Sequence, residues 1–109
     1  MKKSILSVLL FVISFPLLGQ IEVKYFNAEW NAPNEVEWVD KLSDCDIEKL
    51  DIGKTPESAQ KHKVVVVPTI IVFQDGEESK RYQADLSFTM ITTRKEIQDY
   101  IDELIISKF

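Results

Sequence analysis

One cysteine in 109 residues, Cys45, is the first constraint on this chain. A single thiol closes no internal disulfide, so a fold held together by covalent staples is excluded and packing must supply the stability. Basic residues are also scarce: 13 Lys and Arg stand against 18 Asp and Glu, for a formal charge of −5. No Lys or Arg cluster reverses this locally, and an acidic surface repels phosphate backbones, so nucleic acid is not an expected partner. There is no metal-ligand spacing, no glycine-rich phosphate loop and no nucleophile–base pair in sequence. No cofactor and no metal are therefore expected. Repeats, linkers and low-complexity stretches are lacking too, and the length suits one compact domain rather than two.

What is present falls into two parts. Lys2 and Lys3 precede an apolar run from Ile5 to Leu18, interrupted by Ser7, Ser14 and Pro16. That charge-then-apolar order reads as a signal peptide over residues 1–20, with cleavage after Gly19 or Gln20, and it implies an exported chain, periplasmic or secreted. The run falls short of the roughly 20 apolar residues of a spanning helix, so an uncleaved anchor is the weaker alternative. The domain is expected over residues 21–109. Without Lys2 and Lys3 its charge is −7.

Alternation of Ile21, Val23 and Tyr25 against Glu22, Lys24 and Phe26 predicts a strand. Asn27 to Asn34 reads as a polar turn, and Val36, Val39 and Leu42 repeat at helical spacing over Glu35 to Leu42. Cys45 to Ile52 alternates as a second strand. Thr55-Pro56-Glu57 supplies a capping residue, a first-turn proline and an acid for a short helix to about Lys63. The run Ile70-Ile71-Val72-Phe73 is apolar on both faces, as a covered central strand would be. Asp75-Gly76 signals a tight hairpin with a returning strand over Glu78 to Ala84. Thr93 and Glu96 form a capping box, with Ile97, Ile101, Leu104 and Ile105 on one face of a C-terminal helix. The order is strand, helix, strand, helix, strand, strand, helix. It predicts an α/β fold with a central mixed sheet of about four strands flanked by three helices.

Within that order, three segments resemble the thioredoxin family in register. Phe26-Asn27-Ala28-Glu29-Trp30-Asn31-Ala32-Pro33-Asn34 is similar to Phe-Trp-Ala-Glu-Trp-Cys-Gly-Pro-Cys. Lys49-Leu50-Asp51-Ile52 resembles Lys-Leu-Asn-Ile, and Val67-Pro68-Thr69 with Phe73-x-Asp75-Gly76-Glu77 resembles Ile-Pro-Thr with Phe-x-Asn-Gly-Glu. The resemblance spans Ile21 to Leu104 and lacks the family's first strand and helix. It implies a thioredoxin-like fold in which Asn31 and Asn34 stand at the two positions of the redox dithiol. An amide is no sulfur nucleophile, so dithiol–disulfide exchange is not expected. Tyr25 stands where the family keeps a buried acid, Lys49 matches a lysine beside that acid, and Gln83 falls near a glycine that admits a substrate backbone. Pro68 matches the family's cis-proline, beside which an extended peptide can pair by strand addition.

Each feature also has a plainer reading. Asn31 is a good helix cap, and it and Asn34 are alternatively a new polar recognition site. Trp30 either covers the turn or serves as a contact platform, and Pro68 either shapes the fold or fronts a docking edge. Cys45 lies between Asp44 and Asp46, whose charge raises a thiol pKa, which points to a structural cysteine. His62 reads as a surface residue. The leading expectation is a monomeric, non-catalytic module that holds an extended peptide or protein segment near Trp30, Asn31, Ala32, Pro33, Asn34, Val67 and Pro68. The alternatives are a protein acting through the single Cys45 thiol, by mixed disulfide or covalent dimer, and a purely structural domain.

Overall fold

A computed structural model describes residues 20–107, so the leader expected over residues 1–20 lies outside the described residues apart from Gln20. Four strands form one mixed sheet: β1 (Ile21–Asn27), β2 (Asp46–Asp51), β3 (Thr69–Gln74) and β4 (Glu77–Gln83), in spatial order β2-β1-β3-β4. β1 runs parallel to β2, with Glu22 opposite Asp46 and Asn27 opposite Asp51. It runs antiparallel to β3, with Val23 opposite Val72, and β3 and β4 close an antiparallel hairpin. Asp75 and Gly76 both take positive φ at that turn, 54° and 85°, the backbone a two-residue type I′ turn demands. This is the expected α/β sheet, with helical segments supplying the covering layers.

Two helices are α-helical, α1 (Pro56–Lys61) and α2 (Arg94–Ile106). α2 begins in the capping box read from sequence, with Thr93 accepting from the Glu96 N–H and Glu96 reaching back to Thr93. It buries Ile97 and Ile101 against the sheet. The remaining helical layer departs from expectation. Instead of one α-helix over Glu35 to Leu42 there are two 3₁₀ segments, Glu29–Asn34 and Glu37–Lys41. The break lies at Glu35 and Val36, whose ψ values of 136° and 94° are extended. Pro33 supplies no N–H just before it, and neither segment has a side-chain cap. Val36, Val39 and Leu42 are still buried, so the apolar spacing is satisfied without a continuous helix. Thr55 does not cap α1 either, because its hydroxyl donates to the Asp51 carbonyl at 2.9 Å.

The middle strands β1 and β3 are covered on both faces. Tyr25, Val23, Ile70 and Val72 pack on one side with α2 and the second 3₁₀ segment, while Phe26, Ile71 and Phe73 pack on the other with Leu50, Ile52 and Val64. His62 belongs to this second face and is not the free surface residue expected. Its ring stands 5.2 Å from that of Phe73 and 5.9 Å from that of Phe26, because α1 ends where it lays His62 over the sheet. Partial burial, with Lys24 and Lys61 nearby, lowers the His62 pKa from its ordinary 6.5, and Arg81 adds to this while Glu78 opposes it.

A depressed histidine pKa contributes stability above about pH 6.5 that is lost as pH falls toward the folded value, since the unfolded chain takes up the proton first. The urea midpoint should fall between pH 7.5 and pH 5.5. His62→Phe should flatten the profile in that window and leave the losses below about pH 4.5 in place. Those losses belong to Glu78 and Asp85, whose carboxyls are held low, the first chiefly by the Arg81 guanidinium and the second by the Ser87 hydroxyl.

Candidate functional site

The site lies at the end of the sheet where β1 stops at Asn27 and the first 3₁₀ segment begins. The sequence puts four amide and acid side chains here in quick succession, and the fold folds them onto one another. Asn31 is 3% exposed and lies inside the segment, so it does not cap it: the capping position falls to Ala28. The Asn31 amide Nδ2 donates to Asn27 Oδ1 at 3.0 Å and to the Phe88 carbonyl at 3.1 Å. Its Oδ1 accepts from Asn34 Nδ2 at 2.9 Å, and Asn27 Nδ2 in turn donates to Glu35 Oε1 at 2.8 Å. A buried carboxamide has to find such partners, and this one satisfies both ends.

Asn31 is thus an internal strut rather than an exposed contact. Ala32 and Pro33 remain exposed and Asn34 is half-buried. Beneath them, Tyr25 is buried in the core, and its hydroxyl accepts the Val36 N–H at 2.9 Å. Burial pushes its pKa well above the ordinary 10, so the phenol stays protonated through the physiological range. Lys49, opposite Tyr25 in the β1–β2 pairing, turns its ammonium to Asp40. Tyr25 and Lys49 line a hollow of about 220 Å³ that Asn27 and Glu35 also face.

Beside the turn runs the segment Val64–Val67. The Val67–Pro68 peptide bond is cis; Val67 and Pro68 are buried, while Val66 is half-buried and Val65 exposed. The Pro68 carbonyl accepts the Ala84 N–H at 3.0 Å, and the Val66 carbonyl accepts the Thr69 hydroxyl. Among the described residues no protein partner engages the backbone N–H of Val65, Val66 or Val67. An apolar groove of about 100 Å³ lies between Trp30 and Phe88 on one wall and Val64–Val67 on the other, floored by Ile52. Trp30 is 63% exposed and meets Phe88 edge to face, with ring centroids 5.2 Å apart.

Of the residues read as the site, Trp30 and Val67 line this groove, whereas Ala32 faces the hollow beside Tyr25, and Pro33 and Asn34 line a third hollow with Val36 and Trp38. Phe88, Ile52, Val64 and Val65 complete the groove and were not singled out from sequence. Phe88 sits in the stretch between β4 and α2, where no periodicity marks it. Its apolar companions Leu86 and Ile91, almost unburied, are the available signal: large apolar groups in a polar loop.

Cys45 lies elsewhere. It immediately precedes Asp46, which pairs with Glu22 at the far end of the sheet from Asn27. The thiol is half-buried against the core, and burial, then Asp46 and Asp44, push it up to about 11. It stays protonated near neutrality, which is the inert condition.

Comparison with known proteins gives a consistent picture. The family model described as thioredoxin matches residues 25–103. A thioredoxin of Mycobacterium tuberculosis is 40% identical over 42 residues, covering 38% of this chain and 36% of its own. One from Staphylococcus epidermidis is 53% identical over 33 residues, covering 30% and 32%. The aligned stretches thus span about a third of these curated relatives. Among solved structures, thioredoxin-2 of the malaria parasite superposes with a TM-score of 0.65 at 21% identity, covering 83% of this chain and 88% of its own. Thioredoxin 1 of Thermosipho africanus gives 0.60 at 24% identity, covering 81% and 99%. At these identities the structural likeness concerns the fold.

Two outcomes test the geometry of the site. Asn31→Ala strips Asn27, Asn34 and the Phe88 carbonyl of their shared partner and should cost about 1–3 kcal/mol, read as a lower urea midpoint. Cys45 should react with a disulfide thiol reagent at pH 7.5 far more slowly in the native protein than in denaturant; equal rates would contradict its burial.

Proposed function

Since the chain belongs to the thioredoxin family and yet carries a single cysteine, remote from the family's active-site turn, we propose that it is a non-catalytic binding module that holds an extended peptide or protein segment. The observation that carries this reading is the pair of unengaged N–H groups at the accessible residues Val65 and Val66 beside an apolar groove faced by an exposed Trp30. Free N–H groups on an open stretch of backbone are what an added strand pairs with, and an adjoining pocket for a side chain gives such pairing its selectivity. An exposed tryptophan next to it adds a large, stiff contact surface at little entropic cost.

Absence of the dithiol removes the covalent step but not the docking step. A mixed disulfide needs a thiolate at the turn, and the turn holds two amides. Strand pairing needs only backbone and shape. The rival role through the Cys45 thiol gains little support from a group that is half-buried, flanked by Asp44 and Asp46 and raised to about 11. Export to a periplasmic or extracellular compartment is part of the proposal and rests on the basic start and apolar run of residues 1–20. Among the described residues no helix is long and apolar enough to cross a membrane.

The test is titration of a cysteine-free, unstructured decapeptide containing leucine, followed by Trp30 fluorescence or calorimetry. Saturable binding, weakened about tenfold or more by Trp30→Ala, is expected for a central aromatic contact. A failure to bind up to millimolar peptide would overturn the docking reading and leave the structural-domain and Cys45-thiol readings. In a disulfide-reduction assay with dithiol buffer, the native chain should match buffer alone.

A further inference from the structure

The loop between β4 and α2 is built more firmly than a plain connection requires. Asp85 Oδ1 accepts the N–H groups of Ser87 and Thr89 at 2.9 and 3.2 Å and the Ser87 hydroxyl at 2.6 Å. The Phe88 N–H donates to the Asp85 carbonyl and the Asp85 N–H to the Thr89 carbonyl, both at 3.1 Å. At the tip, Phe88 is held at φ 63°, a left-handed backbone that an aromatic residue adopts only at a cost. The bond that ties this tip to the rest of the molecule is the one from the buried Asn31 amide to the Phe88 carbonyl.

That conformation has a definite product. It stands the Phe88 ring against the Trp30 indole at an interplanar angle of 87°, and the two rings together make one wall of the apolar groove. Without the loop held there, the groove would be open on that side and Trp30 would stand alone. The space enclosed, about 100 Å³, is far below the several hundred Å³ of a small-molecule site, and no charged side chain lines it. It is of a size for one apolar side chain.

We propose that Asn31 is a positioning residue that fixes Phe88, and that the Phe88–Trp30 wall makes this site select extended segments by one bulky aliphatic or aromatic side chain seated between that wall and Val64–Val67. The inference rests on the peptide-docking reading above and adds to it a partner chemistry and the residues that enforce it. Backbone pairing at Val65 and Val66 supplies affinity that is indifferent to sequence, and the wall supplies discrimination. Pre-organisation of the loop matters because a wall that had to be assembled on binding would give back part of the gain.

The experiment uses two cysteine-free decapeptides identical except for a central Leu or Ala, titrated into the native chain, Asn31→Ala, Phe88→Gly and Glu35→Ala. The native chain should prefer the Leu peptide by roughly tenfold or more, the scale of discrimination an apolar pocket gives for missing methylenes. Asn31→Ala and Phe88→Gly should both bring the two affinities within about threefold by weakening the Leu peptide alone. Phe88→Gly acts at an exposed loop position and relieves the positive φ, so it keeps the test valid if Asn31→Ala fails to fold. Glu35→Ala cuts the same chain of hydrogen bonds one step beyond Asn27, and should keep the preference. The ring-current shift of Trp30 protons in the NMR spectrum should be lost in Asn31→Ala and kept in Glu35→Ala. Binding of both peptides without preference in the native chain, or preference kept in Asn31→Ala and Phe88→Gly, would overturn the proposal and leave peptide docking standing. Binding of neither peptide to the native chain overturns docking itself, and this proposal with it.

Discussion

The middle strands β1 and β3 are covered on both faces, and most of what the molecule can do follows from that. With Val23, Ile70, Ile71 and Val72 fully buried, neither face of the sheet has room for a polar site. Polar chemistry is pushed to the strand ends, where the backbone leaves the sheet and side chains can reach one another without crossing the core. Asn27 is the last residue of β1, and the cluster of Asn27, Asn31, Asn34 and Glu35 starts there. The groove beside it has the same origin, since Val64–Val67 is the stretch that must climb over the sheet before β3 begins. Site and core are two results of one packing problem.

The cluster also shows what amides can do at such a turn. Asn31 and Asn34 stand at the positions where the family resemblance places thiols, and there they bond to each other and to their neighbours. A carboxamide has both a donor and an acceptor end, so it can link elements that a thiol, a weak donor and weak acceptor, would leave apart. Asn31 joins β1, the first 3₁₀ segment and the β4–α2 loop in a single side chain. Tyr25, in place of a buried acid, takes part in the same change, because a phenol that stays neutral can be buried without a charge to solvate.

Much of this was legible in the sequence. Period-two alternation located β1 and β2, the four-residue apolar run marked β3 as central, and Thr93 with Glu96 fixed the start of α2. These signals are strong because burial on defined faces leaves few alternatives. The helix expected over Glu35 to Leu42 was not legible, since Val36, Val39 and Leu42 can be buried by 3₁₀ turns as well as by an α-helix, and apolar spacing alone does not separate the two. Asn31 as a cap failed for a related reason. An Asn before a helix suits a cap, but the Asn31 Oδ1 that a cap would use accepts from Asn34 Nδ2, while its Nδ2 donates to a carbonyl 57 residues away, that of Phe88. The surface reading of His62 failed and Phe88 went unmarked because their partners are likewise distant in sequence, and pattern reading sees only neighbours.

The two outer strands bring a last consequence, for how this molecule meets its own kind. Among the described residues β2 and β4 are the edge strands, the usual place for chains to stick together in crowded or stressed conditions. Along β2 run Asp46, Glu48 and Lys49, and along β4 run Glu77, Glu78, Lys80 and Arg81. Several are tied into ion pairs, Lys24 with Glu48 and Arg81 with Glu78, so that desolvating an edge would also break a salt link. Both borders are thereby made poor templates for self-assembly. A crowded solution of this protein is steered away from fibres by the same charges that keep its sheet borders hydrated.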